Sequence, residues 1–488
     1  MIAKNSKRRS LSPITGAVVL GLIPTLCAAQ EPLPPARRDP VRLPAAEPIN
    51  PPVPSAATEY RLLDFEGMAQ QYNPTLTQAS WAVENARGVM RQSGLYPNPS
   101  VGYLRSDPSN PLDSRKQGAL LSQTIVTGNK LQLNRNAESH EVNALSWEFE
   151  AQKMRVANDV RLRFFEVLAA QQSLRVSKQL LEIAEEGVQL AEQALKAKTG
   201  NRTDLLQARI QRNEVRGALR DAENRYHASW QQLSAIVGLP DLEPAHVVGT
   251  LKIDAPVLDF DSSWERLVSS SPQIFTAQAR VDRAKALYQR ARVEPIPDVT
   301  VQLIGERDST LKSSSLSTLI AIPLPIYNRN QGNIQSTHAE IHEAQSEVER
   351  VQLALRDQLA ITFRRYETAR NQVTLYEKEV LPDAKENLDL SLQGFRAGEF
   401  ALLNVLFARQ TYSQTNLAYI DALVEQRRTE IEINGLLLTG GGLNPAAIGT
   451  AIQQTSAANR LRVQGLINQS NQDRNGQFLP AAGQVGGN

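Results

Sequence analysis

Residues 130–199 read KLQLNRNAESHEVNALSWEFEAQKMRVANDVRLRFFEVLAAQQSLRVSKQLLEIAEEGVQLAEQALKAKT, a run with no proline and a single glycine, Gly187. As one helix rising about 1.5 Å per residue it reaches roughly 105 Å, far beyond the helices of ordinary globular domains. Val160, Val167, Leu174, Leu181, Val188 and Leu195 recur at every seventh position, and Ala170, Ser177, Ala184 and Ala191 fall three positions after four of them. A sustained seven-residue repeat is the pattern of a coiled-coil seam, and small residues in its second register let a neighbouring helix approach closely. A helix of this kind needs packing partners along its whole length.

The first partner follows at once. In Lys198-Thr199-Gly200-Asn201-Arg202-Thr203 the glycine can supply a helix C-cap, and Asn201 or Thr203 can cap the next helix. The returning segment has its own registers, Leu205, Leu219, Tyr226 and Leu233 in one and Ala208, Val215, Ala222, Ser229 and Ile236 in the other, and closes at Gly238-Leu239-Pro240. Upstream, a helix through Met68, Leu76, Trp81 and Val89 is interrupted or bent at Asn73-Pro74 and stops near Tyr96-Pro97-Asn98-Pro99. Two strand-like segments, 100–105 and 116–126, then flank a polar loop, and Gly128 marks entry into the long helix.

The second half repeats this order. Asn73-Pro74 corresponds to Ser271-Pro272, and Pro97-x-Pro99 to Pro295-x-Pro297, both 198 positions on. On the returning helices the offset is 200, pairing Ala208 with Ala408, Ala222 with Ala422, Leu233 with Ile433, Ile236 with Leu436 and Asp204-Leu205 with Asn404-Val405. Strand candidates recur at 298–307 and 314–323, and a second long helix is expected over 332–397, kinked or divided by Pro382. The turn Phe395-Arg396-Ala397-Gly398-Glu399 stands where Gly200 stood. The organisation read from the chain is therefore a first repeat over 59–240, a linker over 241–260, a second repeat over 261–439, and a Gly/Asn/Gln/Ala-rich tail over 440–488 expected to be largely disordered.

Ahead of the repeats, Lys4, Lys7, Arg8 and Arg9 precede an apolar run from Ile14 to Leu26 and a Cys27-Ala28-Ala29 cleavage pattern, so 1–29 reads as an export signal. Lipidation of Cys27 is the competing reading, and Leu26 suits it poorly. Residues 30–58 are proline-rich and read as an extended spacer. With 53 basic and 51 acidic residues the chain has no general basic field, which argues against nucleic acid as a partner. The lone cysteine excludes an intramolecular disulfide framework. After the signal no stretch approaches the ~20 apolar residues of a spanning helix, so a membrane crossing would have to use β-strands.

Four strands cannot close a barrel, and open edges are not tolerated in lipid. Three copies would bring twelve strands and a set of long helices able to pack as a tube. The alternation of Val299, Val301 and Leu303 with Thr300 and Gln302 suits strands with one face to lipid and one to water. At this point the residues resemble the TolC-like outer-membrane efflux proteins over about 59–438. The resemblance rests on the duplicated order, the two helix openings at Asn73-Pro74 and Ser271-Pro272, Pro97-Asn98-Pro99, and Phe395-Arg396-x-Gly398 followed by Asn404-Val405-Leu406. It rests also on the run from Ile322 to Ile334, whose Pro-Leu-Pro-Ile-Tyr-Asn-Arg-Asn-Gln-Gly is most similar to the cobalt-zinc-cadmium efflux branch, CzcC.

The resemblance implies a mainly α fold with a small β part. Duplicated helix-strand-strand-long-hairpin units would form, as a homotrimer, a 12-stranded outer-membrane β-barrel and a periplasmic α-helical tunnel. It implies a passive exit duct without enzymatic activity or cofactor. Its partners would be outer-membrane lipid, a periplasmic adaptor (membrane fusion protein) and an inner-membrane pump of the resistance-nodulation-division type. The adaptor-contact tips carried over are Thr199, Gly200, Asn201 and Arg202 on the first hairpin and Arg396, Gly398 and Glu399 on the second. The cargo expected from the branch is heavy-metal cations; drugs or small organic toxins are the alternative. A periplasmic coiled-coil adaptor or scaffold without a pore is the alternative of another class, although it does not account for strand pairs before each hairpin.

Other residues carry weaker signals. His338 and His342 have helical metal-site spacing beside Glu340 and Glu343, yet lack an evident third ligand and read as a solvated face. Gly440-Gly441-Gly442 lacks the lysine of a phosphate loop and reads as a flexible hinge. Asp204 and Asn404, at equivalent places just inside the two tips, read as helix caps in preference to residues lining a constriction. Ser, His and Asp show no catalytic arrangement.

Overall fold

The 67-residue helix that the heptads require is present and unbroken as α3 (Lys130–Lys196), with Val160, Val167, Ala170, Ser177, Ala184, Val188 and Ala191 buried along its seam. The computed structural model describes residues 59–106, 116–198, 200–252, 256–397, 399–400 and 402–443. The export signal, the proline-rich spacer, Thr199, Gly398 and the tail beyond 443 lie outside them. All described residues belong to the compact unit Val53–Asn488.

In chain order, β1 (Glu59–Tyr60), α1 (Leu62–Tyr72), α2 (Pro74–Ser93), β2 (Ser100–Ser106) and β3 (Lys116–Ile125) precede α3, and α4 (Arg202–Val237) returns from it. After β4 (His246–Val247) come α5 (Phe260–Ser270), α6 (Pro272–Val293), β5 (Val299–Asp308), β6 (Ser313–Ala321) and α7 (Gln331–Leu375). A π-helical turn, Tyr376–Val380, leads into α8 (Leu381–Arg396), and α9 (Leu402–Asn434) returns.

Asn73-Pro74 divides two helices. The Asn73 side chain accepts the Thr75 N–H at 2.9 Å and donates to the Ile236 carbonyl at 2.6 Å, so one residue caps α2 and ties it to the end of α4. Pro382 sits in the first turn of α8, where its missing N–H costs nothing. The preceding π turn, in which the Leu381 N–H reaches back to the Tyr376 carbonyl, absorbs the register change. The second long helix is thus two helices joined by a π turn.

β2, β3, β5 and β6 form one antiparallel sheet in the order β2-β3-β5-β6, so the strand pairs of the two repeats meet along β3 and β5. Its register aligns Val101 with Leu121, Leu121 with Leu303 and Leu303 with Thr318 on one face, and Ser100, Ser122, Gln302 and Leu319 on the other. β2 and β6 are left as edges among the described residues. The sheet joins the helices where the buried Lys130 ammonium, 2.9 Å from Asp298, links the start of α3 to the start of β5. Among the described residues no helix is long and apolar enough to cross a membrane.

The main core lies where α1, α3, α4 and α9 converge. Phe65, Phe164, Trp230 and Tyr60 pack there in tilted and edge-on contacts with ring centroids 5.3 to 6.5 Å apart. Full burial of each such ring is worth about 1.5–3 kcal/mol, and Trp230 also donates to the Leu242 carbonyl at 2.8 Å.

The glycine run after α9 is not a hinge. The N–H groups of Gly440, Gly441 and Gly442 all donate to the Asp159 carboxylate on α3, at 2.7, 3.1 and 2.8 Å. A Cβ at Gly442 would stand 2.9 Å from Asp159 Oδ2, so this glycine lets backbone close on the carboxylate, while Gly440 takes a left-handed φ of 75°. Asn158 adds donations to the Gly435 and Leu438 carbonyls.

Candidate functional site

The two hairpin ends share boundaries 200 residues apart: α3 and α8 stop at Lys196 and Arg396, and α4 and α9 begin at Arg202 and Leu402. In the first, Ala197 N–H reaches the Gln193 carbonyl at 2.9 Å, Lys198 N–H the Leu195 carbonyl at 3.1 Å, and Gly200 N–H the Ala194 carbonyl at 3.0 Å. The left-handed position belongs to Lys198, with φ 57°, and not to Gly200 as a glycine C-cap would require. Gly200 is needed for closeness, since a Cβ there would lie 3.0 Å from the Ala194 methyl. Asn201 caps α4 by accepting the Asp204 N–H at 2.8 Å. Asp204 is therefore capped and does not cap; its carboxylate sits in the first turn, where the helix dipole favours negative charge. Asn201 and Arg202 are exposed.

In the second hairpin the Gly394 carbonyl accepts from Glu399 N–H at 2.8 Å and Phe400 N–H at 3.2 Å. A methyl on Gly394 would come within 2.3 Å of the Phe400 ring, which lies against it. By position Phe400 is the counterpart of Gly200, Gly394 of Ala194, and Gly398 of Lys198, which revises the match of Gly398 to Gly200. The large and small members of the contact are exchanged between the two ends. Glu399 is exposed; Thr199, Gly398 and the Arg396 side chain are outside the described residues. Lys198, Gly394 and Phe400 were missed in the sequence. An isolated glycine within a helical run, six residues before an aromatic at the turn, is the signal that could have found two of them.

The hairpins lie side by side just behind these ends. Gly187 on α3 lets Leu406 of α9 approach, its hypothetical Cβ being 2.9 Å from Leu406 Cδ2. Val188, Ala191, Leu205, Ala208 and Leu406 close a small core, and Gln211 donates to Gln410 Oε1 at 3.2 Å. Next to it α3, α4 and α9 line a half-open cavity of about 300 Å³, with Leu180, Ile183, Val215 and Leu417 among its walls. Ion pairs cross the first stem, Arg209 to Glu192 at 2.8 Å and Arg216 to Glu185 at 3.6 Å. The hydrogen bond from Arg209 holds the Glu192 carboxyl below the usual carboxylate range.

His338 and His342 face solvent with ring centroids 5.0 Å apart, and His338 packs on Tyr288 at 5.5 Å. Among the described residues no group of three or more His, Cys, Asp or Glu is placed to hold a metal ion.

Long paired hairpins carrying a small sheet with two open edges define the subunit architecture of outer-membrane channels. The chain belongs to the outer membrane efflux protein family, whose model matches residues 67–239 and 265–437. The two matched stretches begin 198 residues apart, the offset seen in the duplicated helix openings. The chain is similar to the cobalt-zinc-cadmium resistance protein CzcC of Cupriavidus metallidurans, 27% identical over 375 residues that span 76% of this chain and 88% of that protein. The probable outer membrane lipoprotein SilC of Salmonella typhimurium is 24% identical over 402 residues, 77% of this chain and 85% of that one. Among solved structures the fold is similar to CusC, described by its crystal structures as undergoing transmembrane channel formation, with a TM-score of 0.67 at 19% identity, covering 78% of this chain and 92% of that one. As a member of this family the chain is an outer-membrane transport protein and not an enzyme.

Proposed function

We propose that three copies of this chain form the exit duct of a tripartite exporter of heavy-metal cations. The observation that carries the reading is the four-stranded sheet, amphipathic and open at both β2 and β6, joined to two long hairpins. β6 is exposed along nearly its whole length, so its free edge needs a strand from another copy. Twelve strands from three copies suffice for a closed barrel with a passage, and closure removes every edge. The first and second repeats, 59–240 and 261–439, each supply one strand pair and one hairpin, with 241–260 between them.

The hairpin ends then point away from the barrel into the periplasm. They meet a periplasmic adaptor there, which links the duct to an inner-membrane pump of the resistance-nodulation-division type. Asn201, Gly200 and Arg202 on one end and Glu399 and Arg396 on the other, with Thr199 and Gly398, form the contact region. The metal cargo is supported by the similarity to CzcC, whose name carries cobalt, zinc and cadmium resistance. A duct should hold its cargo weakly, since tight binding would block exit.

Deletion of the gene followed by growth on zinc, cobalt, cadmium and a panel of organic toxins tests the cargo. Lost metal tolerance is expected. Unchanged metal tolerance with lost toxin tolerance would replace the cargo with organic compounds. Detergent-requiring, heat-modifiable trimers in outer-membrane fractions test the duct itself; a soluble periplasmic monomer would refute it.

A further inference from the structure

Two arginines on the stem of the first hairpin are paired across it, whereas the cations of its turn are not. Arg209 and Arg216 each bond a glutamate of α3 across the hairpin. Lys196, Lys198 and Arg202 at the end are all exposed, and among the described residues none of them makes an ion pair. Lys196 acts on the Glu192 carboxylate one helical turn earlier, and Asp204 is the one carboxylate set against Lys198 and Arg202. Lys198 moreover holds a left-handed φ of 57°, a conformation glycine adopts freely and lysine does not. The second hairpin has glycine at the corresponding place, Gly398. The first end therefore keeps a charged side chain where the backbone favours having none.

The second end is built differently. Its turn carries one cation and one anion, Arg396 and Glu399, and no net charge. Its projecting group is Phe400, braced on Gly394 and still 43% exposed.

We infer that the two ends grip one partner by different forces: the first by charge through Lys198 and Arg202, the second by apolar contact through Phe400. This rests on the docking reading above. The partner it fits is a periplasmic adaptor whose docking surface presents carboxylates to the first tip and an apolar side chain to the second. Exposed cations steer and select, with a strong dependence on salt. A braced aromatic contributes affinity that salt does not screen.

The test uses full-chain trimers in detergent and the soluble adaptor purified from the same efflux system, with affinity measured at about 50 and about 300 mM salt. The unaltered chain should lose about 10-fold in affinity between the two. K198E/R202E should bind about 10-fold more weakly at low salt and gain affinity as salt screens the repulsion. The milder pair K198G/R202Q, which eases the turn, should flatten the salt response with trimers intact. F400A should weaken binding by a similar factor at both salts. Charge variants that keep the full salt response, or an F400A variant that binds normally, would overturn the assignment. A bulky insertion after Gly200 and after Glu399 separates the two levels. If binding survives those insertions, the docking reading itself falls; if they abolish it while binding of the unaltered chain ignores salt, the charge assignment alone falls.

Discussion

Lys198 and Gly200 illustrate how little of a turn's geometry is visible in its composition. A glycine just past an expected helix end suggests a left-handed cap, yet α3 stops at Lys196 and the left-handed residue is Lys198. Glu148 is a residue whose behaviour only packing reveals. It lies on α3 with one carboxylate oxygen bonded by Arg280 and the other, Oε2, buried without a partner among the described residues. Burial raises its carboxyl above the ordinary value, Arg280 pulls it partly back, and Glu141 pushes it up further. Glu432 is raised in the same way by burial, against the opposing pull of Arg365. A carboxyl whose pKa is higher folded than unfolded lends stability that is complete below its unfolded value and disappears as pH rises through its folded value. The helical region should therefore be more stable at mildly acidic than at neutral pH. Glu148→Gln should flatten that slope and make the protein more stable at neutral pH, read from denaturant unfolding across pH. A steeper slope in the variant would contradict the burial argument.

At the scale of elements, periodicity and breakers were informative because they act locally. The seam of α3, the break at Asn73-Pro74 and both hairpin reversals occur where the pattern places them. The interruption near Pro382 was readable too, but its form was not, because a π turn is a choice of hydrogen-bond register that composition does not encode. The exchanged small and large residues at the two ends give a direct test. Gly394→Ala puts a methyl into the Phe400 ring and should destabilise the second end by about 1–3 kcal/mol, seen as faster proteolytic nicking near residue 398. Combining it with Phe400→Gly recreates the Ala/Gly contact of the first hairpin and should recover most of the loss, a coupling of about 0.5–3 kcal/mol in a double-mutant cycle. Additive losses would show that the ring and the glycine do not share one contact.

For the whole molecule the decisive relation is the pairing of β3 with β5, which turns two hairpins from separate repeats into one sheet. That register puts Leu303 in line with Leu121 and Val101, and Gln302 on the opposite face with Ser122. Leu303→Arg should cost about 2–4 kcal/mol in lipid and deplete the protein from outer membranes, whereas Gln302→Arg should be tolerated, as fractionation and heat-modifiability would show. Equal tolerance of both would mean that the faces are assigned the wrong way round.

Taken alone, the chain determined the coiled-coil seam, the duplication, the positions of the strands and the reversals, and the resemblance to its family. These are properties of residues within a few turns of one another, or of one segment repeated. The tertiary structure decided the order of strands, the residue that takes the left-handed turn, the aromatic braced at the second end and the clasp of Gly440–442 on Asp159. That clasp joins groups 281 to 283 positions apart. A glycine run becomes a hinge or an anion cradle according to whether a carboxylate is brought to it, and only the packing of α3 beside the end of α9 brings this one.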